Sequence, residues 1–233
     1  MAKRILLLLA SILLFSPLLA QEKELQGYYQ PHISHYVLIE TSKGSFIIGL
    51  YDETPLHRDN FLQLIRTKAY EGVLFHRTIQ RFMVQTGNLL TKGATSQTDV
   101  SRDTIQVRIP AEILQHKLFH KRGAVAAARI GNELNPMKES SQTQFYITTG
   151  TFFTDWDLDD IEKNTERVFT PYERAIYKIQ GGEPSLDGEY TVFGEVVKGM
   201  ETIEKIEEAK TDETNRPKRD IIIKKVTLIG KPK

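Results

Sequence analysis

Hydrophobic and polar residues alternate in steps of two along most of this chain and fall at helical spacing in only a few stretches. Residues 36–41 (YVLIET) and 45–51 (SFIIGLY) are β-rich runs joined through Ser42, Lys43 and Gly44, the pattern of a β-hairpin. Thr54-Pro55 then supplies a cap and a first-turn proline. Phe61, Leu64, Ile65 and Lys68 recur at helical spacing, which predicts a helix over about residues 55–68. Residues 73–76 and 82–85 read as a second pair of strands, and residues 105–109, 144–148, 190–195 and 221–229 as further strands or alternating runs. Residues 123–129 are small and apolar, residues 111–119 read as a short helix, and Met200, Ile203 and Ile206 mark one face of another. Many strands with few helices predict a mainly β antiparallel barrel or sandwich.

Residues 155–184 interrupt this rhythm. Thr170-Pro171-Tyr172-Glu173 is a capping box with proline at the first helical position, Ala175, Ile176 and Ile179 continue a helical face, and Gly181-Gly182 can stop it. The segment is too short to bury a core of its own, so it reads as a helical insertion rather than a second domain.

The beginning of the chain is a different object. Lys3 and Arg4 precede an apolar run from Ile5 to Phe15 broken only by Ser11, and Ser16, Pro17 and Ala20 follow. This is the layout of a signal peptide over residues 1–20, with Gln21 as the mature start and residues 21–35 as a polar leader to a domain over 36–230. The apolar run is shorter than the ~20 residues a spanning helix needs, so no stable membrane span is expected after cleavage. An exported protein is expected, periplasmic in a Gram-negative cell. Cleavage removes Lys3 and Arg4, leaving 29 basic residues (31 less 2) against 30 acidic ones. So balanced a charge offers no field to gather nucleic acid and points to a partner recognised by shape and apolar contact. The absence of cysteine excludes disulfides and thiolate metal sites.

Candidate chemistry concentrates in residues 75–88 (FHRTIQRFMVQTGN), where Arg77 and Gln85 stand among Phe and Met. Residues of one parity share a strand face, so Phe75, Arg77 and Ile79 alternate with His76 and Thr78. After the turn, Phe82 and Met83 should point to opposite faces, one lining a pocket and the other entering the core. Two readings are open. One is a core hairpin carrying a solvated Arg. The other is an Arg beside an apolar pocket, an always-charged donor in a site that excludes water.

Other candidates carry less. His116 and His120 would share a helix face, but no third ligand has matching spacing, so a solvated or capping pair is expected; His32 and His35 are read the same way. Ser140-Ser141 has no evident His-Asp partner and no nucleophile-elbow glycines. Asp157, Asp159, Asp160 and Glu162 read as a solvated loop, because the calcium-loop spacing is missing. The basic residues from Arg216 to Arg219 are balanced by Asp212 and Glu213.

Residues 75–88 resemble the cyclophilin signature: Phe75-His76-Arg77, then Phe82-Met83, Gln85 and Gly87, with Asn88 where the family has Asp. Similar blocks flank it in the family's order. Lys43-Gly44, Asn60-Phe61, Tyr70 and Gly72 precede it; Gln144-Phe145-Tyr146-Ile147, Leu186-Asp187-Gly188 and Val192-Phe193-Gly194-Glu195-Val196 follow. The resemblance implies a closed antiparallel eight-stranded β-barrel capped by two helices, with residues 155–184 as an inserted helical loop. It implies a peptidyl-prolyl cis-trans isomerase that acts on proline-containing polypeptides without cofactor or metal, as a monomer. Catalytic Arg77, orienting Gln85 and a second Gln at Gln144 are implied, with His76 at the site edge. Phe82, Met83, Tyr146 and Leu186 would form the proline pocket, with Tyr190 nearby, and the backbone of Ala128 and Arg129 would pair with the peptide.

At the rim the chain departs from the family. Ser185 stands where the family often has Trp or His, Tyr190 where it has His, and Arg129-Ile130 where Ala128 would be followed by Asn-Ala. The alternative is a non-catalytic proline-peptide-binding or chaperone module on the same fold. Arg77 favours the enzyme, because mere binding has no chemical use for a cation beside an apolar pocket.

Overall fold

The structure is a computed structural model that describes residues 28–95, 98–100 and 107–232. The chain divides into two units, Met1–Gln30 and Pro31–Lys233. Only residues 28–30 of the first are described, so the signal peptide expected over residues 1–20 lies outside the described residues, as does part of the strand expected over 105–109.

In the second unit the hairpin forms as the alternation predicts, starting slightly earlier: β1 (Ile33–Thr41) pairs with β2 (Gly44–Tyr51) from Ile33↔Tyr51 to Thr41↔Gly44. Helix α1 (Pro55–Arg66) follows. Thr54 makes no side-chain cap; instead Leu56 N–H and His57 N–H donate to the Glu112 carboxylate at 3.0 Å each. An anion there satisfies orphan donors and the positive end of the helix dipole. Glu112 comes from the stretch read as a short helix over 111–119. That stretch is irregular, and His116 takes a left-handed φ of 63°, which a continuing helix does not allow.

The remaining elements are β3 (Arg77–Ile79), β4 (Met83–Thr86), β5 (Arg108–Ile109), β6 (Ala124–Ala127), β7 (Ser140–Ser141), β8 (Phe145–Thr148), α2 (Asp155–Asn164), α3 (Pro171–Ile179), β9 (Val192–Lys198), α4 (Met200–Glu207) and β10 (Ile223–Ile229). Eight strands form one antiparallel sheet in the order β10-β1-β2-β9-β6-β8-β4-β3, and β5 pairs with β7 apart from it. The mainly β, eight-stranded expectation therefore holds, but the barrel is not closed. Its edge strands β3 and β10 share no ladder. A seam crosses the gap: Leu74 bridges Ile222, Gly72 N–H donates to the Ile223 carbonyl at 2.8 Å, and Phe75 N–H to the Ile221 carbonyl at 2.9 Å. The chain becomes regular strand only after this crossing, at Arg77.

Helices α1 and α4 are the two expected caps, and their Phe61, Leu62, Ile65, Ile203 and Ile206 enter the interior core. The insertion holds two helices rather than one. The acidic run read as a solvated loop is helix α2. Thr154 and Asp157 cap it reciprocally, with Thr154 N–H donating to Asp157 Oδ2 at 2.7 Å and Asp157 N–H to Thr154 Oγ1 at 3.2 Å. Arg174 of α3 then neutralises Asp159 at 2.7 Å and Glu162 at 2.6 Å. Helix α3 carries the capping box expected at Thr170 and Glu173.

Strand periodicity sorts side chains between two clusters. Val84, Val125, Ala127, Phe145 and Ile147 join Phe46, Ile48 and Leu50 inside the curl. Their sequence neighbours Met83, Ala124, Ala126 and Tyr146 join Tyr51, Leu118 and Val192 on the outer face. Among the described residues no helix is long and apolar enough to cross a membrane, and no group of three or more His, Asp or Glu is placed to hold a metal ion.

Candidate active site

On the outer face, cross-strand register builds a row. Arg77 of β3 lies opposite Gln85 of β4, Gln85 opposite Tyr146 of β8, and Tyr146 opposite Ala126 of β6. Directly opposed residues share a face at strand spacing, so the row forms one wall and floor. A pocket of about 100 Å³ opens over it, lined by Arg77, Phe82, Met83, Gln85, Ala128, Arg129, Tyr146, Leu186 and Tyr190.

Phe82 and Met83 both line the pocket, against the expectation that they diverge. Phe82 belongs to the tight turn between β3 and β4, where its N–H donates to the Ile79 carbonyl at 3.2 Å, so alternation starts only at Met83. Val84 is the residue that enters the interior. Phe75 likewise parts from Arg77 and joins the interior cluster, because it lies in the seam rather than in β3.

His76 and Gln144 do not line the pocket. His76 is 5% exposed, and burial, reinforced by the neighbouring Arg77 charge, holds its pKa down to about 4. It is a neutral packed residue rather than an edge of the site. Gln144 stands behind Gln85 and orients it. Its Oε1 accepts from Gln85 Nε2 at 3.0 Å, which turns Gln85 Oε1 toward Arg77 Nη1 at 3.4 Å. Gly87 makes this close stacking possible. Its φ is 88°, and a Cβ there would lie 2.1 Å from the Thr143 carbonyl oxygen.

The two arginines of the pocket differ in kind. Arg129 is committed to the wall: Nε donates to the Glu189 carbonyl and Nη2 to Glu189 Oε2, both at 2.7 Å, and the guanidinium lies 4.6 Å from the Tyr190 ring centre. Arg77 makes only the long bond to Gln85, and no carboxylate pairs with it among the described residues. It is a half-buried cation with most of its donors unspent.

The floor is tied down by residues that the sequence pattern does not single out. Asp187 Oδ1 lies 2.7 Å from His120 Nδ1 and 2.6 Å from His120 N. An ionised carboxylate only accepts, so Nδ1 carries the proton and the bare Nε2 accepts from the Tyr146 hydroxyl at 2.9 Å. Tyr177 of α3 donates to the other Asp187 oxygen. Burial pushes both tyrosine hydroxyls well above their ordinary range, so they stay protonated donors. The solvated or capping pair expected at His116 and His120 does not form. His120 is fully buried, while His116 meets Glu173 at 3.1 Å. The one signal for this burial is the place of His120 at the end of the apolar Leu118-Phe119 step. Ser185 stays outside the pocket and donates to Glu183.

Comparison with known proteins agrees with this architecture. The family model for cyclophilin type peptidyl-prolyl cis-trans isomerase matches residues 36–228. Peptidyl-prolyl cis-trans isomerase CYP59 of Arabidopsis thaliana is 33% identical over 205 residues, 84% of this chain but only 32% of that protein. The chain thus spans about a third of that relative. Peptidyl-prolyl cis-trans isomerase-like 3 of Gallus gallus is 32% identical over 198 residues, covering 84% of this chain and 97% of that one. A crystal structure of a Cryptosporidium parvum cyclophilin type peptidyl-prolyl cis-trans isomerase shares the fold with a TM-score of 0.60 at 24% identity, over 85% of this chain and 99% of that one. The same protein has been solved in the presence of the dipeptide Ala-Pro. By its family match and by the relatives it covers, the chain belongs to the cyclophilin-type peptidyl-prolyl cis-trans isomerases.

Proposed function

We propose that the protein catalyses cis-trans rotation of X-Pro bonds in exported polypeptides, with Arg77 as the catalytic cation. The observation that carries this reading is the contrast just described: Arg77 stands at the pocket wall with no counter-ion among the described residues, held only by Gln85. Rotation about a peptide bond meets a barrier of ~18–20 kcal/mol because the C–N bond has double-bond character. In the twisted transition state the prolyl nitrogen regains a lone pair. A guanidinium aimed there stabilises that state more than either planar ground state, which is catalysis by differential binding. A paired arginine such as Arg129 could not do this without first giving up its partner.

The other residues take supporting roles. Phe82, Met83, Tyr146 and Leu186 receive the proline ring, Gln85 orients the peptide and aligns Arg77, and the Ala128–Arg129 backbone holds the flanking chain. No bond to the protein forms or breaks. Export rests on the basic-then-apolar pattern of residues 1–20.

The test is the cis-to-trans relaxation of an Ala-Pro peptide, catalysed by the chain from Gln21 onward and by its Arg77→Ala variant. Acceleration that collapses in a folded variant supports the proposal. No acceleration by folded wild type, across several residues before proline, would leave a proline-peptide-binding module in its place.

A further inference from the structure

Beside the pocket, the chain between Arg129 and Ser140 makes an excursion whose composition does not suit a passive loop. Leu134 is 83% exposed and Met137 is 75% exposed, the two most exposed large apolar side chains among the described residues. Single exposed apolar residues are ordinary, but two in four positions on one loop are not accounted for by the core.

This loop is held firmly. Asn135, buried to 6% exposure, clamps it from within: its Nδ2 donates to the Glu139 carbonyl at 2.7 Å and its Oδ1 accepts Glu139 N–H at 3.0 Å. Lys138 clamps it from without. It holds a left-handed φ of 54°, its N–H donates to the Asn135 carbonyl at 3.0 Å, and its Nζ donates to the Gly188 carbonyl at 2.9 Å and to Glu189 Oε1 at 2.7 Å. A left-handed non-glycine residue persists only where its surroundings over-determine it. Arg129 Nη1 fixes the loop's first carbonyl, that of Ile130, at 3.0 Å.

One of those anchors belongs to the pocket: Arg129 lines it. Lys138 and Glu189, the carboxylate that Arg129 and Lys138 share, line a second cavity, and Glu189 directly precedes Tyr190 of the pocket wall. The loop therefore leaves the pocket rim at Arg129 and is braced by Lys138 and Asn135, with its two apolar side chains exposed on that clamped segment.

We propose that Leu134 and Met137 form an apolar lip that binds a hydrophobic side chain of the client polypeptide flanking the proline. This rests on the isomerase reading of the pocket and adds a second contact to it. The chemistry suits an unfolded client. A thioether side chain adapts to differently shaped apolar partners, and a clamped loop loses little freedom on binding. An apolar flank gains from the lip in both isomers and in the transition state alike. Its effect belongs in KM, with kcat unchanged.

The experiment compares the chain from Gln21 onward with its L134S/M137S double variant on three proline peptides. One has only alanine around proline, one has Phe residues on the amino side, and one has Phe residues on the carboxyl side. Isomerisation rate and peptide affinity, by fluorescence anisotropy, are read for each. Both substituted side chains are solvent-exposed, so the variant should fold normally, which its urea midpoint checks. The expected result is unchanged kinetics on the alanine peptide and a rise of about five- to tenfold in KM and Kd for at least one Phe peptide, the weakening expected when one apolar side chain no longer finds a partner. Equal values for wild type and variant on all three peptides overturn the lip. A wild type that binds Phe peptides through the lip but isomerises none retains the lip and overturns the isomerase reading instead.

Discussion

Phe145 and Tyr146 are consecutive residues of one strand, and they live in different worlds. Phe145 points into the curl of the sheet, where it meets Phe61 edge-on at 5.3 Å and Tyr70 at 5.5 Å, with Phe193 at 6.5 Å. Tyr146 points outward, where its ring floors the pocket and its hydroxyl joins His120 and Asp187. The interior face is apolar and its demands are those of shape. The outer face carries a cation with no counter-ion among the described residues, a chain of oriented amides and a buried acid. A sheet with period two lets one strand serve both, so stability and chemistry separate by parity rather than by region.

That separation can be broken on purpose. The largest effect expected is from Phe145→Ala, which empties the aromatic centre of the interior and should lower unfolding free energy by about 3–5 kcal/mol in urea titration. Any activity that survives in the folded fraction should be normal. The next comes from pH. His76 holds a proton at about pH 4 when folded against 6.5 ordinarily. Between those values the unfolded chain binds a proton that the folded chain excludes. Stability should therefore fall as pH drops from about 6.5 to 4, by up to about 3 kcal/mol, and His76→Gln should flatten that part of the profile.

Arg77→Ala tests the other face. Isomerisation should fall about a hundredfold or more while the urea midpoint stays in place, because the guanidinium has no ion pair to lose among the described residues. The smallest effect, Tyr146→Phe, sharpens the comparison by crossing it. The pocket floor keeps its ring, but buried His120 Nε2 loses its donor. The cost should appear as about 1–3 kcal/mol of stability, measured by thermal unfolding, with only a modest change in turnover.

Much of this is legible in the pattern of residues. The β1–β2 hairpin, α1 and the α3 capping box rest on local signals, periodicity and caps, and all appear. Most of the expected pocket residues converge because strand register is local once the ladder is known. Most of the expectations that fail do so for non-local reasons. Adjacency to Arg77 points His76 at the site, yet the seam at Leu74 breaks strand geometry just before β3, and a residue count cannot see a seam. Parity misplaces Phe82 because that residue lies inside a turn, where parity has no meaning. Helix α2 is hidden by its charges, although Thr154 and Asp157 stand at capping-box spacing, and its neutralising Arg174 comes from another helix. His120 gives little hint of burial because its partners, Asp187 and Tyr146, are far along the chain. The barrel's lack of closure is likewise a property of two distant edges.

The Asp187 junction makes the insertion part of the pocket's support. The segment that carries α2 and α3 has the look of an addition to the sheet. Yet Tyr177 on α3 is bonded to the carboxylate that orients His120 and so the floor, and Phe119 is packed edge-on against Tyr172 and Tyr177 at 5.8 and 5.5 Å. Excising the segment would take the Tyr177 donor from one oxygen of a buried acid and uncover aromatic surface in one stroke. The inserted helices are therefore part of the floor's support, and a chain trimmed of them would lose a brace of its pocket along with the helices.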